Sequence, residues 1–98
     1  MDTTKTNSLP EDPKESLFEF PCTFAVKAMG KASDNFDALV AELVRQHVPD
    51  LTEGAVKARP SKEGNFMAVT VTFTAQSRAQ LDAIYYTLTG HPEVLMAL

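Results

Sequence analysis

The chain is 98 residues long and 44% hydrophobic, with nine basic against 13 acidic side chains and a formal net charge of -4 at pH 7. That length holds one domain and excludes two, because independent domains run to about 100–150 residues. The net charge has the wrong sign for a chain whose main task is to neutralise phosphates, and a lone cysteine, Cys22, excludes an internal disulfide and a cysteine-only zinc site.

Residues 1–16, MDTTKTNSLPEDPKES, are polar, contain two prolines and show no helical or strand period. Such a stretch cannot bury enough surface to offset its ordering entropy, so it is expected to be a disordered tail ahead of a domain at 17–98. Leu17, Phe18 and Phe20 are expected to pack on that domain, with Pro21 fixing the chain's entry into the first strand. CTFAVKAMG then sets Cys22, Phe24, Val26 and Ala28 on one side and Thr23, Ala25, Lys27 and Met29 on the other, which is the period of a half-buried strand. Gly30 is expected to end it.

Ser33 is the candidate N-cap of a first helix, with Asp34 and Asp37 where the dipole favours negative charge. Phe36, Leu39, Val40, Leu43 and Val44 come next at one-faced helical spacing, and His47 and Pro49 mark the end. Residues 52–59 form a weaker, edge-like strand with Gly54 as a bulge. PSKEGN closes a hairpin in which Gly64 and Asn65 both suit positive φ.

FMAVTVTFTA is the clearest strand: Met67, Val69, Val71 and Phe73 face one way, Phe66, Ala68, Thr70, Thr72 and Thr74 the other. Ser77 and Gln80 make a capping box, and Leu81, Ile84, Tyr85 and Leu88 form the second helical stripe. Gly90 and Pro92 stop it, and EVLMAL supplies a last short strand. The order βαββαβ predicts an α+β, ferredoxin-like sandwich: a four-stranded antiparallel sheet, first and third strands central, two helices on one face. Its other face is left open.

Chemistry-bearing motifs are sparse. The Lys-Gly-Ser content of PSKEGN suggests a phosphate loop, but it lies between two strands and has one glycine, whereas that motif needs two and a helix after them. RNA-recognition domains share the topology and stack bases on aromatics of the central strands. Here Phe66 would be the one aromatic among Thr70, Thr72, Lys27 and their neighbours, so nucleic acid is a remote reading. Copper chaperones of this topology carry two cysteines after the first strand, where MGKAS has none.

His47 and His91 fall at helix ends on opposite sides of the fold, a dipole-favoured placement more than a ligand pair. Cys22 could approach His47 as a thiolate-imidazole pair, but its place beside Phe24 and Val26 reads as core. No carboxylate has an apolar setting that would raise its pKa. No catalytic residue, metal or cofactor is therefore expected.

FPCTFAVKAMG at residues 20–30 and RPSKEGNFMAVTV at residues 59–71 resemble the YbeD-like family of small bacterial proteins with an ACT-like fold, the likeness running over about residues 18–98. The family commonly has tyrosine at the position of Phe66. The resemblance implies a cytoplasmic protein without assigned activity, encoded beside lipoate-attachment genes. Two functional expectations arise. The first is a non-catalytic regulatory or protein-interaction module in which Lys27, Lys57, Arg59, Phe66, Thr70 and Thr72 of the open face, or an edge strand, dock a partner protein or a second copy. The second is a dimeric small-metabolite sensor holding an amino-acid or lipoate-like carboxylate at Gly30, Lys31, Ser33 and the first helix's N-terminus.

Overall fold

The computed structural model describes residues 19–98. The tail expected at 1–16, and the packing expected of Leu17 and Phe18, lie outside the described residues. From Cys22 the chain runs β1 (Cys22–Lys31), α1 (Phe36–Arg45), a 3-10 turn (Glu53–Ala55), β2 (Val56–Pro60), β3 (Phe66–Ala75), α2 (Arg78–Thr89) and β4 (Met96–Ala97). The four strands form one antiparallel sheet in the order β2-β3-β1-β4. This is the α+β, ferredoxin-like arrangement expected from the sequence, with β1 and β3 in the middle.

Register explains the layering. Val26 pairs with Val71, Ala28 with Val69 and Phe24 with Phe73, so period-2 alternation sends the apolar residues of both central strands to the same face. Phe24 and Phe73 meet there with ring centroids 6.3 Å apart at a 59° tilt, an edge-on geometry that favours aromatic pairs. The stripes of the two helices close over that face: Phe36, Val40, Leu43 and Val44 from α1 and Leu81, Ile84 and Leu88 from α2 are buried. Val48, Leu51 and Val94 complete the core from the loops, while Leu39 and Tyr85 are half-buried at its margin. Phe20 packs on the core as expected, entering through a cis Phe20–Pro21 peptide.

The helix ends are held by specific bonds. At α2 the Gln80 N–H donates to Ser77 Oγ at 3.1 Å, and Gln80 Oε1 accepts the Gln76 N–H at 2.7 Å. This is the expected capping pair, with the return bond landing one residue before the cap. Gln80 Nε2 also donates to the His47 carbonyl at 2.9 Å, tying the start of α2 to the end of α1.

Four local expectations are corrected. Gly30 does not end β1: it pairs with Met67 inside a strand that runs on to Lys31, and it is buried. Ser33 does not cap α1; Asn35 holds that position without a side-chain bond. Gly54 lies in a 3-10 turn and not in a bulged strand. In the β2–β3 turn only Gly64 has positive φ, at 80°, and Asn65 does not. There the Ser61 N–H donates to the Phe66 carbonyl at 2.7 Å, and Ser61 Oγ accepts the Phe66 N–H at 3.1 Å. The serine thus supplies the closure that a second left-handed residue would otherwise have given.

Candidate functional site

The face of the sheet turned away from the helices is built from alternate residues of all four strands. β1 contributes Thr23, Ala25, Lys27, Met29 and Lys31; β3 contributes Phe66, Ala68, Thr70, Thr72 and Thr74. Register then fixes who stands beside whom. Lys27 and Lys57 flank Thr70 from either side, Met29 and Arg59 flank Ala68, Lys31 stands opposite Phe66, and Ala25 opposite Thr72. Lys27, Lys57 and Arg59 are therefore neighbours across the sheet, and together with Ala58, Ala68 and Thr70 they line a shallow concavity of about 370 Å³.

β4 adds what the sequence did not reveal. Met96 pairs with Met29, and Leu98 exchanges reciprocal backbone bonds with Lys27 at 2.9 and 2.7 Å. Both side chains share the outward parity, and Met96 is 49% and Leu98 63% exposed; Phe66, at the end of β3, is 42% exposed. The reason for the omission is length: two residues of strand give too short an alternation to be assigned a face.

Charge is segregated. Four of the nine cationic side chains, Lys27, Lys31, Lys57 and Arg59, project from this face, and none of its strand positions is acidic. The ion pairs among the described residues lie on the helices instead, Arg45 with Glu42 at 3.2 Å and Arg78 with Asp82 at 3.0 Å. No carboxylate of the described residues comes within ion-pair distance of the four sheet cations. Like charges gathered on one low-curvature surface produce a local positive field on an acidic body.

The second group of predicted residues is not brought together as a pocket. Gly30 is buried, and the space where its side chain would stand is filled by the Phe36 ring and the Glu93 carbonyl. Lys31 and Ser33 line a separate cleft of about 310 Å³ with Pro92, Glu93 and Leu95. At the N-terminus of α1 the Ala38 N–H donates to Asp37 Oδ1 at 2.8 Å. A carboxylate ligand would have to compete with that one.

Both histidines have structural partners. His47 Nε2 lies 2.7 Å from Thr87 Oγ1 on α2. Cys22 is half-buried against the core. His91 Nδ1 accepts the Glu93 N–H at 3.1 Å. Burial raises the pKa of the Tyr85 phenol. Among the described residues no three His, Cys, Asp or Glu side chains are grouped to hold a metal ion, and no helix is long and apolar enough to cross a membrane.

Comparison with known proteins places the fold and the lineage. Protein HP0495 from H. pylori, solved in solution, matches 92% of this chain and 94% of its own at a TM-score of 0.65 and 17% identity, a likeness of fold. A UPF0250 protein of Chromobacterium violaceum is 55% identical over 87 residues, covering 89% of this chain and 98% of that one. UPF0250 protein RSc0326 of Ralstonia nicotianae is 44% identical over 96 residues, covering 97% and 99%. The family model described as protein of unknown function (DUF493) matches residues 15–98, which agrees with the YbeD-like resemblance carried by residues 20–30 and 59–71. On these grounds the chain belongs to the DUF493 family of UPF0250 proteins.

Proposed function

We propose that this chain is a non-catalytic, cytoplasmic regulatory module that works by docking a partner protein on its open sheet face. One observation carries the reading: a sheet face bearing Lys27, Lys31, Lys57 and Arg59 with no acidic strand position, on which Phe66, Met96 and Leu98 are also exposed, is uncovered by any described element. Exposed apolar side chains sharing a face with one sign of charge are the composition of an interaction site more than of a solvated surface. Cys22 and His47, the one thiolate-imidazole pair suggested by the sequence, have separate surroundings, Cys22 against the core and His47 with Thr87. Lipoate metabolism is the setting we propose, on the strength of the family resemblance.

Symmetric face-to-face pairing of two copies is opposed by the same charges, since it would set four cations against four. The test is site-specific photo-crosslinking in native lysate, with the reactive group at Thr70 on the open face and, as control, at Asp82 on the exposed side of α2. A discrete protein adduct formed from position 70 and not from position 82 is the expected result. Adducts formed equally from both positions, or from neither, overturn the reading.

A further inference from the structure

The open face is graded from one edge to the other, and the gradient specifies what fits it. Crossing from β4 to β2, one row reads Met96, Met29, Ala68, Arg59 and the next reads Leu98, Lys27, Thr70, Lys57. The β4 side is apolar and the β2 side is cationic. Four strands at about 4.8 Å spacing put roughly 14 Å between the outer strand axes, and ten-residue central strands run about 33 Å. An α-helix is about 10–12 Å across with its side chains, and 20 residues of it span about 30 Å. One helix laid along the strands therefore covers the face.

We infer that the occupant is an acidic amphipathic helix of a partner protein, its apolar stripe over Met29, Met96 and Leu98 and its carboxylates over Lys27, Lys57 and Arg59. The inference rests on the docking reading above and narrows it. Charge complementarity selects the acid: cations held on one rigid sheet without an internal counter-ion attract a polyanionic surface at long range. The methionines and the leucine select a helix over a phosphate backbone, because thioether and alkyl groups offer nothing to a phosphate and adapt readily to apolar side chains. A base-stacking strand would need more than Phe66, and Phe66 stands at one end of the face.

The test is an amide NMR titration of the full chain with three probes: a 20-residue helical peptide with a leucine stripe flanked by glutamates, the same peptide with lysine at every glutamate, and a single-stranded oligouridylate. The acidic peptide is expected to shift the amides of Lys27–Lys31 and Ala68–Thr72 saturably, with α1 and α2 unmoved. The variant K57E/R59E, at two exposed positions, is expected to weaken it by about tenfold. A spectrum as dispersed as the wild type's establishes that the variant is folded; K57Q/R59Q replaces it otherwise, with a smaller loss in the same direction. Equal binding of both peptides, binding of the oligouridylate alone, or no saturable shift overturns the inference. A protein crosslinked at position 70 together with no response to the acidic peptide overturns the helix assignment and leaves the docking reading standing.

Discussion

Replacing Gly30 by alanine tests the packing that positions the open face. A Cβ built on Gly30 would stand 2.5 Å from the Glu93 carbonyl oxygen and 2.5 and 2.6 Å from Cε1 and Cζ of Phe36. Ordinary contacts of a Cβ lie at 3.4–4 Å, so something must open by close to 1 Å. Neither neighbour can do so freely, since the carbonyl is backbone and Phe36 is only 1% exposed. Overpacking of this kind costs about 1–3 kcal/mol. For a domain of this size each kcal/mol is worth roughly 4–8 °C in Tm, so a loss near the middle of that range lowers Tm by about 8–16 °C. Thermal unfolding followed by circular dichroism reads this directly. Because the ring supplies two of the three close contacts, F36L in the same chain is expected to recover part of the loss, the double variant being about 1 kcal/mol more stable than the sum of the singles implies. G30A melting within about 2 °C of wild type would refute the close-packing argument, and strict additivity with F36L would refute the role given to the ring.

Two further predictions concern the helical layer. S77A removes the acceptor for the Gln80 N–H and should cost about 1 kcal/mol, read as a Tm lower by roughly 4–8 °C, with S77D retaining most of the wild-type value. The raised pKa of Tyr85 means that the folded state holds the phenolic proton longer than the unfolded chain does. Stability from this source is present in full below about pH 10 and is lost as pH rises through the folded-state value. Urea midpoints measured from about pH 8 to 11 should fall less steeply for Y85F than for wild type, and parallel curves would contradict the burial argument.

Where the residues spoke through period and pairing chemistry, the sequence was legible. The alternation through Cys22–Ala28 and Phe66–Phe73 assigned both faces of both central strands, because one face had to be dry and a one-residue slip would have buried the threonines. Four of the five side chains spaced along the first helix are buried, and Leu39 is half-buried, as a stripe one residue too wide for its groove would be. The misses came where a residue's usual local role was overridden by tertiary contacts. Gly30 reads as a strand terminator, yet its value here is the absence of a side chain beneath Phe36. Ser33 reads as a cap, but the Ala32 N–H is taken by the Asn65 carbonyl at 3.0 Å, which carries the chain past β1 before the helix turns in. Lys27 was assigned to the open face by strand parity, while the alignment of Lys57 and Arg59 with it depends on the register of β2 against β3. The apolar counterpart at Met96 and Leu98 was not foreseen, because the face of β4 is set by bonds to Lys27 and Met29 that no local pattern encodes.

Gln80 has an implication beyond its own helix. One carboxamide closes the start of α2 and grips the His47 carbonyl just past the end of α1, while the ring of the same His47 meets Thr87 further along α2. Both bonds fall on one residue just past the end of α1, and they reach α2 at its first turn and at its last, so the exit of the first helix is pinned along the side of the second. The buried side chains of both helices back the strands they cover. A guest arriving on the far side meets strands already in their final shape, and the entropic toll of ordering them was met when the chain folded.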